Sequence, residues 1–380
     1  MELKAKSSFD GIDISEIRKM NALAGDETIN LGIGQLPNDV PEAVSLQGQK
    51  AFTEGRTRYT SNQGMLELRE LVAKYHSRKT GKSISPNQIV ITNGAEGAIW
   101  NIFYAYLEVG DEVLIPEISF TVYDTITTMQ GAKAICFGLT KDLRLDFNSI
   151  EALISDKTKF LVINSPTNPT GLIVNQEDIK KLSVLAEKRG FYIISDEIYS
   201  ELYLDRVKPT SPYSYSNRVI VVDGISKRAA ATGLRIGWTL CDESLVKPMV
   251  IANQYIATCA SSISQYTAIK SLDGSCDSFL EDIKRDLKEK RDYAYKTLSS
   301  IKGVTVVKPE GAFYIFPNIS SFGRSKDVAL RILEEVDVLT IPGVAFGKKG
   351  DSYIRVSFAV EFDDLKLALS RIKELFNNWS

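Results

Sequence analysis

Ser226-Lys227, with Gly233-Leu234-Arg235-Ile236-Gly237 just downstream, carries the clearest chemical signal in this chain. The pair follows the apolar run Val219–Val222, which reads as a buried strand. An amine at the end of such a strand loses part of its hydration, which favours the neutral nucleophile that condenses with a carbonyl to a Schiff base. Ser226 and Arg235 suit a phosphate, the arginine through its planar fork of donors. Taken alone, Lys227 reads first as an ordinary surface lysine.

Three further segments sit at strand ends, where ligands of open α/β sheets bind. Asp196-Glu197-Ile198-Tyr199 closes the apolar run Tyr192–Ser195, although a helix N-cap would also explain the aspartate. Asn164-Ser165-Pro166-Thr167-Asn168-Pro169-Thr170-Gly171 has the residues of a turn, plus amide side chains placed beside a crevice. Thr92-Asn93-Gly94-Ala95-Glu96-Gly97 runs from a strand into a helix whose free N–H groups could hold a phosphate.

Other chemistries fall away. His76 is the only histidine, and its neighbours Leu68, Leu71, Val72 and Tyr75 mark an amphipathic helix on which we place it at the surface. Histidine-based hydrolysis and multi-histidine metal sites are therefore unsupported, and no metal is expected. Cys136, Cys241, Cys259 and Cys276 form no C-x-x-C pair and read as small buried apolar residues in a reducing compartment. Gly32-Ile33-Gly34 lacks the third glycine of a dinucleotide fingerprint, and Gly343–Lys349 has the wrong spacing for a phosphate loop. A net charge of -2 argues against nucleic acid, and no apolar run is long enough for a bilayer. Met1–Asp10 has no signal-peptide core, so the expected location is cytoplasmic.

The elements that must position these residues form an α/β pattern. Ile89–Thr92, Glu112–Ile115, Ala134–Phe137, Phe160–Asn164, Tyr192–Ser195 and Ile220–Val222 read as buried strands, separated by helical stretches such as Asn175–Arg189. This alternation predicts a mostly parallel central sheet flanked by helices. After about Tyr255 the texture becomes α+β. It has a long charged helix around Leu280–Ile301, strands at Val304–Val307, Ala312–Phe316 and Tyr353–Phe358, and a closing helix over Leu365–Phe376. We therefore expect a large domain over residues 45–255, and a smaller one from residues 1–44 and 256–380.

With these motifs in this order, the sequence resembles the class I/II, fold-type I aminotransferases that use pyridoxal 5′-phosphate (PLP), in their aspartate-aminotransferase-like branch. The resemblance runs from Ile29–Gln35 to Tyr353–Ala359. It implies that Lys227 carries PLP as a Schiff base and shuttles the proton, while Asp196 pairs with the pyridine nitrogen. By the same resemblance, Tyr199 and Asn168 hold the ring oxygen, and Phe120 stacks on the ring. Ser226, Arg235 and the backbone at Ala95 and Glu96 cup the phosphate, and Tyr59 reaches the phosphate of a neighbouring subunit in a homodimer. Arg355 would clamp the substrate carboxylate, with Gly34 and Asn168 close to the substrate. The implied reaction is a ping-pong transfer of an amino group between an L-amino acid and a 2-oxo acid. A PLP lyase of the β-C–S type, or a cyclase, would use the same residues.

Two features depart from the family pattern. Glu96 stands where many aspartate-specific members have a lysine, so a neutral, aromatic or basic donor is expected. Arg228-Ala229-Ala230-Ala231 follows the lysine where a bulky or hydroxyl residue often stands.

Overall fold

The computed structural model describes residues 3–379. The chain opens with α1 (Glu16–Asn21), β1 (Ile29–Asn30), α2 (Glu42–Thr53) and α3 (Leu66–Thr80). Strands and helices then alternate through β2 (Ile89–Asn93), α4 (Gly94–Tyr106), β3 (Glu112–Pro116), α5 (Val122–Met129), β4 (Lys133–Phe137), α6 (Phe147–Leu153), β5 (Thr158–Asn164), α7 (Gln176–Arg189) and β6 (Tyr192–Asp196). The strands β7 (Val219–Gly224) and β8 (Ile236–Leu240) follow, and then α8 (Val246–Ala257), α9 (Ser262–Leu272) and α10 (Asp277–Ser299). The chain closes with β9 (Tyr314–Ile315), α11 (Ser325–Val336), β10 (Val338–Leu339), β11 (Ile341–Pro342), β12 (Ile354–Ser357) and α12 (Phe362–Asn377).

Seven strands form the central sheet in the order β2-β8-β7-β6-β5-β3-β4. All run parallel except β8, which is antiparallel to both β2 and β7. The runs Phe160–Ile163, Ile193–Ile194 and Val219–Val222 are buried on both faces, which is why they read as continuous apolar stretches and not as alternating ones. Helix ends follow local chemistry. Asn175 Oδ1 caps α7 by accepting from Asp178 N at 2.8 Å, and Gly190 closes that helix at φ 85°.

A separate core joins Met20, Leu31 and Leu36 of the N-terminal segment to residues of α10, α11 and α12. Its sheet is small: β12 lies between β11 and β9, while β1 pairs in parallel with β10. Ser357 N donates to Leu31 O at 2.7 Å, so the N-terminal segment is tied directly to this C-terminal unit. The helix α9 packs instead against α2 and α3, in the core beneath the large sheet.

Three expectations need correction. His76 is fully buried: it lies four residues beyond Val72 and eight beyond Leu68, on the helix stripe that faces the core. There its Nε2 accepts from Trp238 Nε1 at 2.8 Å. Among the cysteines, Cys136 is exposed and Cys259 half-buried, because β4 is the sheet edge and Cys259 follows the end of α8. Val304–Val307 forms no strand, only a single bridge from Thr305 to Asn318, and the strand read over Ala312–Phe316 shrinks to Tyr314–Ile315. Among the described residues, no helix is long and apolar enough to cross a membrane.

The α7 cap supplies a test. Asn175→Ala should cost about 1 kcal/mol in urea denaturation and leave kcat unchanged, because the cap is exposed and belongs to no ligand-facing surface.

Candidate active site

Four strand ends and the loops that leave them converge between the two cores. At the end of β6, Asp196 is buried and takes Tyr123 Oη from α5 at 2.6 Å and Ile198 N at 3.1 Å. Burial pushes its carboxyl up to about 6, although the Tyr123 hydrogen bond opposes the shift. At the end of β5, Asn164 donates to Asp196 O at 3.0 Å and accepts from Asn168 N at 2.8 Å. One amide thus fixes the 164–171 turn to the strand carrying the aspartate.

After β7 the chain enters the loop that holds Ser226, which is buried, and Lys227. Lys227 Nζ donates to Gly34 O at 2.6 Å and lies 5.7 Å from the ring centres of both Tyr199 and Phe313. Burial, reinforced by the positive charges of Arg355 and Arg235, brings its ammonium down to about 8. The amine is therefore poised near neutrality, as a Schiff-base lysine requires.

Arg235 ends this loop in the left-handed conformation, at φ 52°, which aims its side chain across the start of α4. Its Nη1 donates to Thr232 O at 3.0 Å, and its Nη2 lies 3.7 Å from Glu96 Oε2. Among the described residues no side chain caps α4, so the first-turn N–H groups at Ala95 and Glu96 stay open beside the guanidinium. The close approach of β8 depends on glycine: a Cβ on Gly237 would lie 2.5 Å from the backbone carbon of Gly94.

Arg355, on β12, is buried and extends towards the same space. Its Nη1 donates to Asn168 Oδ1 at 3.0 Å and its Nη2 to Gly32 O at 2.6 Å, while its Nε has no partner among the described residues. A buried guanidinium with a spare donor is ready for a carboxylate. The Lys227 amine and the Arg355 fork thus rest on carbonyls two residues apart, Gly34 and Gly32.

Two participants went unread in the sequence. Tyr314 is buried on β9, its hydroxyl 3.0 Å from Tyr199 Oη and its ring 4.4 Å from the Arg355 guanidinium. It also closes on Gly34, where a Cβ would meet its hydroxyl at 2.6 Å. Tyr123 is the second, as the donor to Asp196. A tyrosine inside an apolar run needs a partner for its hydroxyl, and that demand was the available signal for Tyr314.

The structure therefore brings Lys227, Asp196, Tyr199, Asn168, Arg355 and Gly34 together, with Ser226, Arg235, Ala95 and Glu96 at one end. Phe120 is half-buried, edge-on to Tyr123 at 6.2 Å between ring centres. Tyr59 stands apart, 87% exposed on the loop between α2 and α3.

Comparison with known proteins agrees with this geometry. The family described as aminotransferase class I and II matches residues 26–372. A probable aspartate aminotransferase of Methanocaldococcus jannaschii is 38% identical, covering 97% of this chain and 99% of the relative. A probable N-acetyl-LL-diaminopimelate aminotransferase of Bacillus subtilis is also 38% identical, over 96% of this chain and 93% of its own. The crystal structure of the Thermotoga maritima aspartate aminotransferase superposes with a TM-score of 0.93 at 32% identity, covering 98% of this chain and all of that one.

The residues present fit the family's cofactor. The uncapped start of α4 with Arg235 offers an anion cradle, the buried Asp196 can face a ring nitrogen, and the low-pKa Lys227 can bond to an aldehyde. This chain belongs to the class I and II aminotransferases, and it is a PLP-dependent enzyme of fold type I.

Proposed function

We propose that the enzyme moves an amino group between an L-amino acid and a 2-oxo acid in two half-reactions, with Lys227 as attachment point and proton carrier. The observation that carries this reading is that the Lys227 amine and the Arg355 fork rest on Gly34 O and Gly32 O, carbonyls two residues apart in the chain. An α-amino acid carries the two groups that such a pair would receive, an amino group and a carboxylate. The cofactor, when bound, supplies a conjugated electron sink for the carbanion formed at the substrate Cα.

The protein's own residues do the rest. Arg355 exchanges its carbonyl and amide partners for the substrate carboxylate and so orients Cα towards Lys227. The Lys227 amine, once free, takes up and returns the Cα proton. Asp196, kept by Tyr123 and Ile198 N as an acceptor, holds a proton on the ring nitrogen. Tyr199 keeps its own proton, because burial and the neighbouring Tyr314 push its phenol well above the ordinary range, and it donates to the ring oxygen together with Asn168. Ser226, Arg235 and the backbone at Ala95 and Glu96 hold the phosphate, and Phe120 covers the ring. The relatives reported above are aminotransferases, which favours transamination over a lyase or cyclase reading.

For the donor we propose a neutral, aromatic or basic amino acid. Glu96 lies beside Arg235, and once a phosphate occupies that fork its carboxylate is left to repel a second acid group on the substrate. We further propose a homodimer in which Tyr59 completes the partner's phosphate site. Tyr59, Tyr255, Phe52 and Leu46 are all exposed, an apolar set that a second copy would cover. The two-domain division is retained, with α9 assigned to the larger unit on its packing. Four free thiols are consistent with a cytoplasmic location.

Two outcomes test the assignment. Assay of purified holoenzyme against a panel of amino acids, with 2-oxo acid product measured, should rank leucine, phenylalanine or lysine above aspartate in kcat/KM. Arg355→Lys should raise KM for the amino acid by about tenfold or more, because an ammonium cannot replace the fork. The amine makes a third claim. In the apoenzyme Lys227 is protonated below about 8 and neutral above it, so the rate of covalent cofactor capture should rise through about pH 8. An ordinary lysine would place that rise near 10.4.

A further inference from the structure

At the ends of β6 and β7 the chain turns successive side chains to opposite faces of the sheet. Asp196 points to the face covered by α5, where Tyr123 meets it. Its successor Glu197, 3% exposed, points to the face covered by α3. There Lys79 Nζ lies 2.6 Å from Glu197 Oε2, while Ser195 and Ser211 donate to Oε1 at 2.9 and 2.6 Å. The same reversal recurs one strand over. Lys227 reaches Gly34, and its successor Arg228 pairs on the reverse face with Glu201 at 2.6 Å, under the Tyr75 ring at 5.3 Å.

None of this reverse-face chemistry enters the mechanism derived above, yet buried charge is too costly to be incidental. His76, Glu197 and Asp223 bring ligand atoms within 4.8 Å of one another, but the Lys79 ammonium already occupies the cation's place beside them. Burial drives His76 well below its ordinary range, so it carries no charge. Burial also pushes Asp223 up to about 8, so it holds its proton at neutral pH. Two matched pairs remain, Lys79 with Glu197 and Arg228 with Glu201.

We infer that Lys79 is a positioning residue for transamination: it neutralises and pins Glu197 from behind the sheet, and thereby sets the charge and aim of Asp196 on the front. The inference rests on the role proposed for Asp196. The charged and titratable groups facing Asp196 and Glu197 are Tyr123 from α5, Tyr75, His76 and Lys79 from α3, Asp223 from β7, and Tyr199 just after β6. Glu201 lies in the turn after β6, and Lys227 and Arg228 in the loop after β7. Among the described residues, Lys79 alone is in salt-bridge contact with Glu197. Without it, a bare carboxylate would stand one residue from Asp196 and raise that group's proton affinity, as it would that of Lys227.

The test uses holoenzyme carrying Lys79→Met, Lys79→Arg or the pair Lys79→Met with Glu197→Gln, followed from pH 5 to 9. Two readouts are taken, the acid limb of kcat and the pH midpoint of the bound cofactor's absorbance. Lys79→Met should move both upward by about one pH unit, with KM little changed. Lys79→Arg should hold them at the wild-type positions, and the double variant should return them there because the unpaired charge is gone. Unmoved midpoints in Lys79→Met, even with a fall in thermal stability, would overturn the inference and leave the pair a packing feature. A double variant that kept the Lys79→Met shift would also overturn it. Asp196→Asn serves as the separate control: near-normal turnover there would defeat the reading of Asp196 itself.

Discussion

Keeping a lysine amine out of water and close to neutrality is the constraint on which the site depends. Lys227 meets it by leaving a buried strand and reaching a single carbonyl, with two arginines close enough to disfavour its charge. That placement needs partners far away in sequence. Gly34 comes from the N-terminal segment, and it is held in place because Leu31 O accepts from Ser357 N on β12, the strand that also carries Arg355. The amine is thus aimed by one core and received by another.

This division explains why the site forms where it does. The parallel strands β5, β6 and β7 end at one edge of the sheet, so Asn164, Asp196 and the Lys227 loop emerge together. The antiparallel β8 starts just after Arg235 and pairs there with the end of β2, which sets the arginine beside the start of α4, and glycine at position 237 lets the strand lie against that helix. Binding groups for an anion, a ring nitrogen, an aldehyde and a carboxylate are therefore distributed along one crevice, on strand ends or on the loops that leave them directly.

Much of this was legible in the sequence because buried parallel strands announce themselves as unbroken apolar runs. Val219–Val222 and Phe160–Ile163 could be placed from composition alone, and the polar residues following them were then at strand ends by construction. What escaped depends on contacts between distant segments. β8 was hidden by Gly237 inside it and Gly233 shortly before it, and the Tyr314–Tyr199 bond joins residues 115 apart. His76 was misplaced although the helix period itself put it on the core stripe; its polarity outweighed its position. The pairing of Glu197 with Lys79 could not be read either, since nothing local distinguishes a charge on the reverse face of a sheet from one in water.

Every role in this crevice depends on which lysine holds the cofactor. Borohydride reduction of the PLP-loaded enzyme, followed by peptide mapping, tests this directly, because reduction makes the lysine–cofactor bond permanent. The structure predicts a single modified peptide containing Ser226-Lys227-Arg228, with the added mass on Lys227. Modification of a different lysine, or of none, would contradict the assignment of this crevice as the active site.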